Sequence, residues 1–215
     1  MTTSKLQVWG GVLTAIVGAL LVLFGVLPVV MLPTSEPLIE WVLDADWSLL
    51  NGLALIMTVL TPLALVSLYF SQVEESGRLG FVGFLMAFIG SVLFSSVQFD
   101  EAVLWRILAE EAPALLDLAG PMFTSPGFST IYLIMGVLYI LGFVLFGIAS
   151  IRSGVFPRAA AVLLVIGVPL FAGGFLLPQL LRTVGAVLAG VGLVWMGLSM
   201  RARGRSVVNE APRTT

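Results

Sequence analysis

Four carboxylates fall close together near the middle of the chain: Asp100, Glu101, Glu110 and Glu111. Two nearby carboxylates can divide acid and base roles, so these residues offer the one arrangement that would suit an enzyme, working at a membrane surface. No partner group joins them. The chain has no histidine and no cysteine. That excludes disulfides, thiol nucleophiles, thiolate and imidazole metal sites, histidine-held haem and every imidazole-dependent triad. No nucleotide loop, zinc motif or nucleophile elbow is present. Glu36, Glu40, Asp44, Asp46 and Asp117 spread the acidic residues well beyond the four, and topology explains that scatter more simply than catalysis. No enzyme is expected, with no catalytic residue and no metal ligand.

Uncharged polar residues are the next candidates. Asn51, Thr58 and Thr61 lie in one apolar stretch, Ser91, Ser95, Ser96 and Gln98 toward the end of the next, and Tyr132 and Tyr139 seven residues apart in another. Seven residues is two helical turns, so the tyrosines share a face. As a ligand-binding set, Asn51, Thr58, Thr61, Gln98, Tyr132 and Tyr139 would line a pocket opening outward. A small permease or channel-like transporter with a site near Asn51, Thr58 and Tyr139 is the alternative function that follows. The plainer reading is hydrogen bonding between helices, worth about 0.6 kcal/mol per contact in a membrane, and it takes precedence. Asn51 and Gln98 come first for testing, because amides cost more to bury than hydroxyls.

The composition says what must position these residues. Of 215 residues, 59% are hydrophobic and 10% charged, and the mean hydropathy is +1.11. Soluble domains run near 25% charged, and so apolar a chain would expose aggregating surface in water. The formal net charge of −2 does not suit nucleic-acid binding. Six apolar stretches are long enough to cross a bilayer, which takes about 20 residues: 8–31, 49–70, 79–99, 128–151, 159–177 and 183–200. None contains Asp, Glu, Lys or Arg. Buried charge marks most ion-coupled transporters, so ion coupling through this chain is not expected. The first stretch follows Lys5 and is too long for a signal core, so it reads as a retained span.

Charge orients the spans. With the N-terminus inside, Lys5, Arg78, Arg152, Arg158, Arg201, Arg203, Arg205 and Arg213 are cytoplasmic, and only Arg106 and Arg182 are outside. Most acidic residues fall on the other side, apart from Glu74, Glu75 and Glu210. Positive-inside sorting therefore favours an even number of spans, with both termini in the cytoplasm of an inner (plasma) membrane. Trp9 and Trp195 near inner ends, and Trp41, Trp47 and Trp105 near outer ones, fit two interfacial belts.

The expected fold is all-α: a polytopic membrane bundle of six transmembrane helices with two short interfacial helices on the outer side. Residues 1–200 form a single transmembrane domain, and residues 201–215 a basic, disordered cytoplasmic tail. The first outer helix starts with Ser35 as N-cap and Pro37 in its first turn, and turns Leu38, Trp41 and Val42 to one face. The second occupies Asp100–Asp117, with Val103, Leu104, Ile107 and Leu108 on one side, an Arg106–Glu110 pair, and a break at Pro113. Both would lie on the outer leaflet or cap the bundle. Pro62 is expected to kink the second span, and Pro169 with Gly173-Gly174 to shorten the fifth.

Small residues recur at packing distance: Gly11, Ala15 and Ala19; Gly18 and Gly25; Gly83, Ala87 and Gly90; Gly185, Ala189 and Gly192. Such stripes let helix backbones approach closely. A weak internal repeat aligns Ser76-Gly77, Gly80, Gly90 and Phe94 with Ser153-Gly154, Pro157, Gly167 and Phe171 at constant offset. It maps spans two and three onto four and five in one orientation.

The stretch from Ser153 to Gly167 opens Ser-Gly-Val-Phe-Pro-Arg and continues in small and aliphatic residues. It resembles turns in uncharacterised multi-pass bacterial membrane protein families, described as domains of unknown function. The resemblance covers one hairpin. It implies a bacterial membrane protein and carries over no activity and no site residue.

The leading expectation is a non-enzymatic integral membrane protein: an accessory or structural subunit of a membrane complex, or a binder of a lipid-like or pigment molecule. Its partners would be the lipid bilayer and either other membrane subunits or an apolar ligand, without nucleic acid. No cofactor can be named from the sequence.

Overall fold

The computed structural model describes residues 3–32, 37–173 and 177–210. Among them there is no strand. The long apolar stretches form helices because a chain in hydrocarbon must satisfy its backbone groups internally. The elements are α1 (Thr3–Met31), α2 (Leu38–Leu43), α3 (Ala45–Phe70), α4 (Val73–Phe99), α5 (Trp105–Glu111), α6 (Pro121–Thr124), α7 (Pro126–Ser153), α8 (Arg158–Ala172) and α9 (Gln179–Glu210). Five are long and apolar enough to cross a membrane: α1, α3, α4 with its continuation, α7 and α9. The fifth expected span, 159–177, forms a short helix, as its proline and glycines predict. Its helix α8 has 15 residues and ends at Ala172, three residues after Pro169.

Each long helix packs antiparallel against its sequence neighbours, and α9 returns to α1 to close a ring. Backbones meet where the small residues fall. A Cβ on Gly18 would lie 2.5 Å from the Gly190 carbonyl oxygen, and one on Gly190 would lie 2.5 Å from that of Gly18. Gly11 and Gly197 repeat this reciprocity one step nearer the termini. Gly83 and Gly90 bring α4 onto the backbone of α7, and Gly167 and Gly185 do the same for α8 and α9. The N-terminal end of α1 and the C-terminal part of α9 therefore sit at the same end of the ring.

The connections depart from expectation at several points. Residues 33–36, which include the expected N-cap Ser35, lie outside the described residues. Pro37 stands at the N-cap of α2 rather than in its first turn. Pro62 lies inside the single helix α3, Ala45–Phe70. The segment after Phe99 is not a separate loop helix. A π-helical turn over Asp100–Leu104, closed by the Trp105 N–H on the Asp100 carbonyl, joins α4 directly to α5. Beyond the break at Gly77 the helical run continues over residues 78–111, about 51 Å at 1.5 Å per residue, well over the hydrocarbon thickness. Its apolar part to Phe99 is long enough to cross a membrane, and charged residues follow from Asp100. The helix α9 continues past Met200 to Glu210, so the start of the expected disordered tail is helical; residues 211–215 lie outside the described residues.

Gly77 and Gly154, aligned by the internal repeat, are the positive-φ residues of the described chain, at φ 57° and 67°. Gly77 turns the backbone just before the straight part of α4 begins at Arg78. Gly154 ends α7 in a left-handed cap, a conformation that costs glycine least.

Large side chains fill the ring. Met57, Leu65 and Leu68 from α3, Phe143 and Phe146 from α7, Leu164 from α8, and Met196 and Met200 from α9 are all buried in one cluster. An aromatic relay crosses it. Phe24 of α1 meets Phe171 of α8 edge-on at 6.1 Å, Phe171 meets Phe94 of α4 at 6.4 Å, and Phe94 meets Tyr139 of α7 at 5.3 Å. Such edge-to-face geometry is favourable beyond the area it buries. Four helices are thus joined through the middle of the ring.

Candidate functional site

The polar residues separate into two layers, one at each end of the apolar core. At the end carrying the termini, Gln72 is fully buried. Its amide donates to the Ser150 hydroxyl at 2.8 Å and accepts from the Ser153 hydroxyl at 3.1 Å. Arg203 of α9 reaches the same region, donating to the Val155 carbonyl and lying over the Phe156 ring, 5.1 Å from its centre. This layer ties the turn after α3 and the α7–α8 turn to the end of α9.

The opposite end holds the candidate site. Asn51 of α3 and Gln98 of α4 are both buried. The Gln98 amide donates to the Asn51 side-chain oxygen at 3.3 Å and to a Glu101 carboxylate oxygen at 3.2 Å. Asn51 also donates to the Trp47 carbonyl at 3.0 Å. The Trp47 indole N–H donates to the Glu101 carbonyl at 3.1 Å, which fixes the first turn of α3 to the π-helical turn. Arg182 at the start of α9 donates to Gln179 at 3.1 Å, and its positive charge acts on Glu101.

Glu101 is half-buried as a residue, but its carboxyl is the buried end. Burial, the largest influence, pushes that carboxyl up to about 7, against lowering by the Gln98 hydrogen bond and by Arg182. The neighbouring Asp100 charge adds a smaller upward push. A carboxyl held near neutrality changes charge within the ordinary pH range.

An aromatic cap covers this layer. Trp47 stacks on Trp105 with centroids 5.9 Å apart and planes 14° from parallel, and Phe123 meets Trp105 edge-on at 5.8 Å. Val42 of α2, Leu50 of α3, Ala109 of α5 and Leu116 are buried with them. The expected apolar face of the first outer helix is this contact, since Leu38 and Trp41 pack against the same cluster. The expected Arg106–Glu110 pair is present at 3.3 Å, exposed on the outer face of α5.

Of the six residues proposed from sequence, the structure brings Asn51 and Gln98 together. Thr58 and Thr61 bond within their own helix: their hydroxyls donate to the carbonyls of Leu55 at 3.0 Å and Met57 at 2.8 Å. Tyr139 is buried between Phe94 and Phe143. Tyr132 stacks on Phe128, 4.2 Å away. Tyr132 lies within electrostatic reach of Glu101, whereas the contacts of Thr58, Thr61 and Tyr139 described above do not involve the two amides. Glu101, Trp47 and Arg182 belong to the site and were outside that set, Glu101 having been singled out only among the four candidate carboxylates. Glu101 had a visible signal, since it follows Gln98 by three residues, the spacing of neighbours on a helix.

Among the described residues no group of histidine, cysteine or carboxylate side chains is arranged to hold a metal ion. An apolar hollow of 410 Å³ opens at the capped end between Pro37, Leu38 and Ile39 on one side and Pro113, Leu116 and Leu118 on the other, with Asp117 beside it. No protein-family model, curated protein or solved structure matches this chain.

Proposed function

We propose that the chain is a non-enzymatic integral membrane protein that acts by binding, as an accessory or structural subunit of a membrane complex or as the holder of a lipid-like or pigment molecule. The observation that carries this reading is the filled ring. Its side chains pack against one another across the bundle, and the buried amides bond each other instead of facing an open path. The permease alternative around Asn51, Thr58 and Tyr139 draws no support from that arrangement, because each of the three is engaged with its own neighbours.

The same reading has six spans, with α8 crossing alongside α9. Gly192 of α9 faces Ala160 near the start of α8, and Gly185 faces Phe171 near its end. That contact runs along nearly the whole of α8, which supports its crossing beside α9. Both termini then lie in the cytoplasm, as the arginine distribution favours, in the inner membrane of a bacterium.

Purification from the native membrane in a mild detergent tests the function. The expected result is a fixed molar ratio of one partner protein, or of one apolar molecule, surviving size-exclusion chromatography. A chain that emerges alone, carrying only lipids in the proportions of the bulk membrane, would overturn it. Measurable solute flux through the chain alone in liposomes would favour the permease.

A further inference from the structure

The polar layer under the aromatic cap contains a buried carboxyl, that of Glu101, tied into the layer's hydrogen bonds. Glu101 sits in the π-helical turn, where α4 gives way to α5. Its backbone carbonyl holds Trp47, and its side chain is held by Gln98, which in turn holds Asn51. The Trp47–Trp105 stack lies on the same turn. Single π-helical turns inside longer helices recur at functional positions, and here the turn is bonded from two sides.

We propose that Glu101 is a proton-controlled latch: its protonated carboxyl keeps the aromatic cap seated on the bundle, and loss of the proton loosens that seat. The groups around it set the direction. Arg182 reaches it from α9 and favours the charged form, while Asp100 on the same turn opposes it. Tyr132 from α7 is near enough to feel both carboxylates. From α3 come only the uncharged Asn51 and Trp47.

The sign follows from linkage. Burial raises this carboxyl from 4.5 in the open chain to about 7 in the folded one. The folded state therefore binds the proton more tightly, and seating is favoured below pH 4.5 and weakens as pH rises toward and through 7. The carboxylate formed above pH 7 draws water and the Arg182 guanidinium toward it, and the tryptophan stack loses its dry surroundings.

Tryptophan emission of the full chain in detergent micelles tests this between pH 5.5 and 8.5. A background with Trp9→Phe, Trp41→Phe and Trp195→Phe leaves Trp47 and Trp105 as reporters. The latch predicts a reversible red shift with one midpoint near pH 7. Glu101→Gln should abolish the transition, and Arg182→Gln should move its midpoint upward. A flat profile in the parent background would overturn the proposal. So would an unchanged transition in Glu101→Gln, or a downward shift in Arg182→Gln. If Glu101→Gln does not fold, the Arg182→Gln direction decides alone.

Discussion

Gly18→Ala is expected to weaken the bundle more than its single added methyl would suggest. The new Cβ would lie 2.5 Å from the Gly190 carbonyl oxygen and 2.7 Å from the Val194 nitrogen. Both are backbone atoms, which cannot rotate aside as a side chain can. The helices α1 and α9 must separate, and the Gly11–Gly197 approach on the same face loosens with them. Overpacking costs typically 1–3 kcal/mol and occasionally more. Alanine's better helix propensity returns at most about 1 kcal/mol. A net loss of about 2 kcal/mol is expected, or about 4–8 °C in melting midpoint for a chain of this size. Gly136→Ala supplies the contrast. Nothing lies within 4 Å of its added Cβ, so this change should be neutral or stabilising by up to about 1 kcal/mol. Thermal unfolding in detergent compares the two. Equal effects would mean that close approach of α1 and α9 does not hold the ring shut.

The second large effect is expected at the amides. Gln98→Leu removes the donor to Asn51 and to Glu101 together. Leaving buried polar partners unpaired costs about 1–3 kcal/mol. Asn51→Leu should cost a comparable amount, since it takes away the acceptor that Gln98 uses. The double variant should cost less than the sum, because the second change removes a group already orphaned. The expected coupling is about 0.6 kcal/mol, with about 1.7 kcal/mol as the ceiling for such contacts in a membrane. Thr58→Ala and Thr61→Ala should each cost about 1 kcal/mol through lost buried bulk, without coupling to the amides, as their hydroxyls bond carbonyls of their own helix. Strict additivity between Asn51 and Gln98 would mean that the bond between α3 and α4 contributes nothing.

These residues also mark how far the sequence could be read. The glycine stripes were visible because spacing alone places Gly83, Ala87 and Gly90 on one helical face, and backbone approach needs nothing more than a missing side chain. Asn51 and Gln98 stood out for a similar reason: an amide in an apolar stretch demands a partner. Their pairing with each other was not readable, since spacing within a helix says nothing about the register between helices. Thr58, Thr61, Tyr132 and Tyr139 were grouped with them on polarity. A hydroxyl, unlike an amide, can satisfy itself on the preceding turn, and the threonines do so.

Glu101 was read as part of a separate outer helix, because the charges at Asp100 and Glu101 look like the end of a span. The backbone instead carries on through a π-helical turn, which has no composition signature. Arg182 was read as one of two basic residues on the outer side, and the structure sets it within electrostatic reach of Glu101. Gln72 escaped notice because it sits in a turn by sequence, while the fold buries it completely between α3 and α7. The shortened α8 followed the prolines and glycines more closely than hydropathy did, since residues 173–177 are apolar enough to continue but the helix ends at Ala172.

The central claim is that antiparallel helices cross the bilayer in strict alternation, with α8 among them. The native chain has no cysteine, so single cysteines can be read without background. Four sites suffice: Glu74→Cys, Glu110→Cys, Leu180→Cys and Ser206→Cys, all exposed in the structure. A membrane-impermeant maleimide applied to intact cells should label positions 110 and 180, and should reach 74 and 206 only after permeabilisation. Labelling of 180 from the same side as 74, or of 74 and 110 from one side, would contradict the alternation.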